Sequence, residues 1–66
     1  MKIQFSKHAL EQARERGINI KEIERAIQRG AKHLQENKIV SDFGHIRIVY
    51  RKIENIYFII TVMVKK

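Results

Sequence analysis

Three side chains near the middle of the chain could bind phosphate together. His45, Arg47 and Arg51 are separated by even numbers of residues, so on an extended strand they project from one face, about 7 Å apart for each two-residue step. That interval is close to the spacing of successive phosphates on a nucleic-acid strand. Arginine suits phosphate because its guanidinium donates two parallel hydrogen bonds. A solvated sheet face whose arginine stems shield apolar neighbours would give the same pattern.

Three further residues are candidates for chemistry. His8 falls in the first turn of a predicted helix, where the helix dipole disfavours the imidazolium and could poise a neutral acid or base. A packing or hydrogen-bonding role for His8 is the alternative. Arg16 falls at the end of that helix, where a cation meets the negative end of the dipole. Tyr57 is a strand aromatic whose ring could stack on a base.

The charge balance favours a polyanionic partner such as RNA. The chain has 14 Lys and Arg residues against seven Asp and Glu, which gives a net charge of +7. A small, strongly basic body attracts polyanions. Residues 1–36 hold eight basic and five acidic side chains, and residues 37–66 hold six and two. The second half of the chain is therefore the more cationic one.

Several functional classes are excluded or disfavoured by what the sequence lacks. There is no cysteine, and His8, His33 and His45 are too scattered to suggest a metal cage, with His33 expected in a loop. We therefore expect no metal. A nucleotide-binding glycine loop is also missing, so no cofactor is expected. The longest apolar run, Ile56 to Val64, is too short to span a bilayer as a helix. Because no signal peptide is recognisable, we expect a cytoplasmic protein.

Two capped helices must come first in the fold. Residues 2–5 fit a short first strand or an extended arm, and Ser6 is then a predicted helix N-cap. Gly17 is predicted to end the first helix in a left-handed conformation. Asn19 and Glu22 form a capping box for the second helix, and Gly30 is expected to close it as Gly17 closes the first.

A small sheet with strands of period two should follow Gly30. The pattern predicts a strand near Leu34 to Asp42, a tight turn at Asp42–Phe43–Gly44, a strand from His45 to Arg51, a turn at Glu54–Asn55, and a last strand from Ile56 to Val64. We therefore expect a single α+β domain over residues 1–66, with both helices on one face of a three- to four-stranded antiparallel sheet.

The predicted last strand is apolar on both faces. A strand of this kind is normally covered on both sides, and the two helices can cover only one side. The other side must then meet a ligand, a partner subunit in a homodimer, or long basic stems that lie over it.

Two short segments carry a resemblance to a known family. Phe5–Ser6–Lys7–His8–Ala9, followed by Glu15–Arg16–Gly17–Ile18, resembles the uncharacterised family numbered 4258 among the domains of unknown function. Its members close their sheet with an apolar strand that contains Thr-Val, here Ile60–Thr61–Val62. That family is similar in layout to the RelE/ParE toxin superfamily and its BrnT relatives, many of which are ribonucleases. The resemblance therefore implies a RelE-like fold and metal-independent RNA cleavage.

The resemblance also implies roles for particular residues. His8 or His45 would act as base or acid, and Arg16, Arg47 and Arg51 would hold phosphate around the transition state. One departure is Gln12, because the family usually has arginine at the fourth position after its histidine. If that arginine takes part in activity, this member is weakened or inactive.

Two functions other than toxin-like RNA binding or cleavage remain open from the sequence. The same basic face could bind an acidic protein such as a cognate antitoxin, or dock two copies of the chain, without catalysis. Nonspecific association with DNA through net charge alone is the third possibility.

Overall fold

Seven elements of secondary structure make up the fold. A computed structural model describes residues 1–65. The elements, in chain order, are β1 (Lys2–Phe5), α1 (Lys7–Glu15), α2 (Ile20–Arg29), β2 (Ala31–Gln35), β3 (Lys38–Phe43), β4 (Ile46–Ile53) and β5 (Ile56–Val64). In this described part of the chain, no helix is long and apolar enough to cross a membrane.

Both helices begin at the residues that the sequence predicts. The side chain of Ser6 accepts a hydrogen bond from the Ala9 backbone N–H at the start of α1. Asn19 and Glu22 form the complete capping box at the start of α2. Gly17 ends α1 with a φ of 65°, the left-handed conformation that glycine adopts at little steric cost. The two caps and the left-handed ending are thus confirmed.

Gly30 ends α2 for a different reason from the one expected. Its φ is −69°, so no left-handed cap is present. A Cβ atom at this position would instead collide with the Ser41 hydroxyl and the Ala26 carbonyl oxygen. These two groups are hydrogen-bonded to each other, which ties α2 to β3. Glycine is therefore needed because the end of α2 lies directly against the sheet.

The sheet has five strands rather than three or four. Their order is β1-β5-β4-β3-β2, and every pairing is antiparallel except that of β1 with β5, which is parallel. The single strand predicted near Leu34 to Asp42 is in fact two strands, β2 and β3, joined by a two-residue turn at Glu36–Asn37. Glu36 adopts a φ of 59°, so this turn forms without the glycine that would have signalled it.

The turn between β3 and β4 lies one residue later than predicted. Phe43 pairs with Ile46, which leaves Gly44 and His45 as the two turn residues. Gly44 supplies the positive φ, 59°, that a tight hairpin needs. As a consequence, His45 is part of the turn and not of strand β4.

The two helices cover one face of the sheet, here called the inner face. Its side chains form the core with the apolar stripes of α1 and α2. The buried residues of this cluster are Ala9, Ala13, Ile18, Ile23, Ala26, Ile27, Ile46, Ile48, Tyr50, Ile59 and Val62. The opposite face, the outer face, has no element of residues 1–65 packed on it.

Candidate nucleic-acid interface

The outer face consists of the strand residues that alternate with the core residues. Side chains directly opposite each other on paired strands point to the same side of a sheet, so the strand register assigns every residue to a face. The outer face comprises Lys2 and Gln4 of β1, Ala31, His33 and Gln35 of β2, Lys38, Val40 and Asp42 of β3, Arg47, Val49, Arg51 and Ile53 of β4, and Ile56, Phe58, Ile60, Thr61 and Met63 of β5.

A β-bulge in β5 decides which apolar residues reach the outer face. Val49 pairs with Thr61, whereas the next residue, Tyr50, pairs with Ile59. Ile60 is therefore an extra residue in β5, and such a bulge interrupts the alternation of faces. Simple alternation would have grouped Phe58 with Ile60 and Val62; instead Phe58 and Thr61 share the outer face while Ile59 and Val62 are buried in the core.

A row of four side chains, with two valines at its centre, crosses the middle of the outer face. Register partners connect His33 to Val40, Val40 to Val49, and Val49 to Thr61 across four strands. Val40 is buried although no helix covers it. The side chains around it therefore shield it, as the long stems of basic residues can. This row is a partly apolar floor between two charged ends.

At one end of the outer face, Asp42 and Arg47 form a bidentate pair. Arg47 donates from Nε to Oδ1 at 2.6 Å and from Nη2 to Oδ2 at 3.0 Å. The Lys65 Nζ atom lies 3.8 Å from Oδ2. The hydrogen bond from Arg47 lowers the pKa of Asp42, and the charges of Arg47, Lys65 and His33 lower it further, against a smaller opposing effect of desolvation. Arg47 is thus already engaged by a carboxylate.

At the other end of the outer face, two exposed cations have no salt-bridge partner within residues 1–65. Lys38 and Arg51 lie on the adjacent strands β3 and β4, and both are exposed. Neither forms a salt bridge with any residue of the described range 1–65. Arg51 is the register partner of Phe58 on the adjacent strand, and Phe58 is half-buried.

The charges of the chain are distributed unevenly between the strands and the other elements. Of the carboxylates in residues 1–65, Asp42 is the one that lies on a strand; the six glutamates are on the helices or in the two Glu-Asn turns. The five strands carry these cations: Lys2, Lys32, Lys38, Arg47, Arg51 and Lys52. The sheet is therefore the cationic half of the molecule, and the helices have mixed charge.

The structure places two of the expected phosphate-binding residues on one face. Arg47 and Arg51 both lie on the outer face, four residues apart on β4. His45 is exposed in the adjoining turn, where its carbonyl oxygen accepts a hydrogen bond from the Lys65 N–H at 2.6 Å. It borders the outer face and is not part of the strand stripe that the sequence predicts.

The other three expected site residues lie elsewhere. Tyr57 is on the inner face: it packs against the core, its ring centroid is 5.7 Å from that of Tyr50, and the Lys52 Nζ atom lies 5.5 Å from its centroid. The expectation that Tyr57 faces outward is wrong. The extra residue at Ile60 shifts the alternation of β5, so Tyr57 lies on the opposite face from Thr61. His8 and Arg16 belong to α1 and its C-cap, on the helix side of the sheet.

Sequence reasoning misplaced one residue of this region, overlooked a second, and missed the structural role of a third. His33 was expected in a loop but lies on β2 in the outer face, and Lys38 was not singled out at all. Gln12 has a structural role, because its Oε1 atom accepts a hydrogen bond from the Val62 N–H at 3.0 Å. An arginine at this position has no acceptor and could not make that bond. Recognising the turn at Glu36–Asn37 would have placed His33 and Lys38 on paired strands.

Part of the stability of the fold should depend on the ionised form of Asp42. Folding lowers the pKa of this carboxyl, so its contribution is fully present above about pH 4, the ordinary aspartate value, and is lost as the pH falls through the lowered value. Thermal unfolding of the wild type and of Asp42→Asn at decreasing pH measures this effect. The wild type should be the more stable at neutral pH, and the difference should shrink in acid. A difference that is independent of pH would contradict it.

One comparison with known proteins gives a match. The family described as "Domain of unknown function (DUF4258)" matches residues 5–64, which include both helices and nearly all of the sheet. No curated protein and no solved structure matches the chain.

Proposed function

The chain belongs to the DUF4258 family, and from that starting point we propose that it is a toxin-like domain that binds single-stranded RNA on the outer face of its sheet. The observation that carries this proposal is the composition of that face. Exposed cations, Lys38 and Arg51, lie beside half-buried apolar side chains, and Asp42, the one carboxylate on the strands of residues 1–65, is already bound to Arg47.

Two physical features favour a single strand over a duplex. Proteins that bind single strands combine cations that follow the backbone with apolar or aromatic platforms on which bases lie. On the outer face, Phe58 and the apolar row through Val49 offer such a platform, with Arg51 beside Phe58. The bases of a duplex are stacked inside the helix and cannot reach a sheet surface in this way.

The resemblance to the RelE/ParE toxin layout supports the same function by analogy. Two helices on one face of a small, mostly antiparallel sheet leave the other face open, as binding of an extended RNA strand requires. One fold can carry many functions, so the tests below use residues of this chain.

Salt dependence of RNA binding is the primary test. Fluorescence anisotropy with a short labelled single-stranded RNA should show an affinity that falls steeply with salt, with a slope of about 0.7 for each phosphate contact. Affinity that does not respond to salt, or no binding at low salt, would reject RNA as the ligand. A duplex RNA of the same sequence serves as the control and should bind more weakly.

Removing Asp42 should strengthen RNA binding. The change Asp42→Asn takes away the one strand carboxylate of residues 1–65 and releases the Arg47 guanidinium, so affinity should rise by roughly three- to tenfold. Damage to the fold would lower the affinity, so a gain cannot arise from misfolding. Glu11→Gln on α1 removes the same charge from the helix side and should change affinity little. Unchanged or weaker binding by Asp42→Asn would contradict the placement of RNA on this face.

Metal-independent RNA cleavage is the second candidate activity, and the position of His45 favours it. His45 is an exposed turn residue whose backbone is hydrogen-bonded to Lys65, and Lys65 in turn lies near the Asp42–Arg47 pair at the same end of the outer face. Cleavage requires a base to take the 2′-hydroxyl proton as the 2′-oxygen bonds to phosphorus, and an acid to protonate the departing 5′-oxygen. His45 can supply one of these groups.

A chelator assay tests the enzymatic function. Incubation of RNA with the wild type and excess chelator should yield cleavage that is lost in His45→Ala and retained in His8→Ala, since His8 lies on the helix side. Activity no greater than that of the His8→Ala/His45→Ala double variant would reject catalysis and leave RNA binding untouched.

Binding of a protein partner is the competing function. It is favoured by a groove that contains exposed apolar side chains. A cavity of about 590 Å³ lies between the ends of the two Glu-Asn hairpins, lined in part by Leu34, Ile39 and Ile53. Leu34 and Ile53 are 77% and 54% exposed. An acidic protein such as an antitoxin, or a second copy of the chain, would cover them. A dimer in a solution mass measurement that is lost in Leu34→Glu would support this interface.

A further inference from the structure

A small cleft lies on the outer face beside the β-bulge at Ile60. Its volume is about 210 Å³, and its lining residues are Gln35, Glu36, Lys38, Val49, Ile60 and Thr61. The bulge adds Ile60 to the same side as Thr61, and the hairpin of β2 and β3 supplies the facing wall. The cleft is therefore confined to the place where the bulge in β5 faces the β2–β3 hairpin across β4.

The lining combines apolar side chains with polar groups that can form hydrogen bonds to the edge of a planar heterocycle. Val49 and Ile60 offer aliphatic surface, against which a ring can lie. The Gln35 amide can donate and accept hydrogen bonds, and the Glu36 carboxylate can only accept. Lys38, on the same hairpin, provides a charge for an adjoining phosphate. The cleft therefore offers aliphatic surface for the ring of a base, hydrogen-bonding groups for its edge, and a cation for its phosphate.

We infer that this cleft holds one unpaired nucleobase of the bound RNA and selects bases that carry an exocyclic amino group over uracil. The inference rests on the proposed RNA binding and adds the recognition step to it. An amino group donates a hydrogen bond to the Glu36 carboxylate, as cytosine does to acidic side chains in other nucleic-acid complexes. Uracil has no amino group, and the two carbonyl oxygens that flank its single N3–H donor repel a carboxylate.

Glu54 provides a matched control for Glu36. Each glutamate is the first residue of a two-residue Glu-Asn hairpin turn, and their φ values are 55° and 59° respectively. Glu36 lines the cleft, whereas Glu54 does not. Replacing either with glutamine removes the same charge from the same type of turn, so a difference between the two variants reports on the cleft.

Binding of labelled oligo(rA), oligo(rC) and oligo(rU) to the wild type, Glu36→Gln and Glu54→Gln tests the inference. The wild type and Glu54→Gln should bind the adenine and cytosine oligomers about five- to tenfold more tightly than the uracil oligomer. Glu36→Gln should bind all three alike, because its amide can both donate and accept. Near-equal binding by the wild type, or a preference that survives in Glu36→Gln, would overturn base selection while leaving RNA binding intact. Absence of binding to every oligomer would overturn both.

Discussion

Replacing Ile59 with alanine is expected to leave much of the protein unfolded at physiological temperature. Ile59 is fully buried on β5, which pairs with β1 on one side and β4 on the other and carries α1 on its inner face. Truncating a buried isoleucine costs about 2–5 kcal/mol, because apolar burial is lost and a cavity remains. A 66-residue chain has a small core, and its total stability should lie near the lower end of the usual range of about 5–15 kcal/mol.

Urea unfolding followed by circular dichroism measures this loss. Leu34→Ala is the matched control, because it removes a similar aliphatic group from a side chain that is 77% exposed, and it should change stability by no more than about 0.5 kcal/mol. Equal losses in the two variants would show that the core does not lie between the helices and the inner face.

The double variant Arg51→Ala/Lys38→Ala should lose most of the affinity for single-stranded RNA. These two exposed cations are free of salt bridges within residues 1–65 and flank the half-buried platform of the outer face. A charge-assisted hydrogen bond is worth about 1.5–3 kcal/mol, and solvent exposure reduces that value. The combined loss should therefore be roughly ten- to a hundredfold, and the salt slope should fall by about 1.4 if each cation contacts one phosphate.

Lys21→Ala/Arg25→Ala is the control for that experiment. It removes one lysine and one arginine from exposed positions of α2, so the net charge of the two double variants is the same. If RNA bound through net charge alone, both variants would weaken equally. An equal loss would therefore reject the outer face as the binding surface, and a larger loss in the α2 variant would place RNA on the helices.

The helices could be predicted from the sequence because their signals are local. Ser6, Asn19 with Glu22, and Gly17 each act through hydrogen bonds or φ values within a few residues of the chain. The same locality explains the error at Gly30. A glycine after a helix predicts a left-handed cap, whereas the close approach of Ser41, eleven positions later, becomes visible only after the sheet has formed.

The sheet could be predicted only in part, because strand pairing depends on distant residues. Glu36–Asn37 and Glu54–Asn55 are the same dipeptide in the same kind of turn. The second was predicted, since a short turn clearly separates two apolar runs there. The first was missed, since the residues around it read as one polar strand. The bulge at Ile60 has no local marker, and it alone decides that Tyr57 faces the core.

The candidate site was predicted in outline and not in detail. Even spacing correctly places Arg47 and Arg51 on one face of β4, opposite the helices. It could not show that Asp42 holds Arg47, because that pair depends on the register of β3 with β4. Nor could it bring Lys38 to the same face as Arg51. Within residues 1–65, the outer-face cations without a salt bridge are Lys2, Lys38 and Arg51, rather than the His45–Arg47–Arg51 stripe.

Mapping the contact surface by NMR tests the central claim most directly. Titration of isotopically labelled protein with a short single-stranded RNA should shift the signals of outer-face residues, above all Val49, Phe58 and Thr61. Signals of α1 and α2, such as those of Leu10 and Lys21, should stay in place. Shifts confined to the two helices, or none at all at saturating RNA, would contradict binding on the outer face.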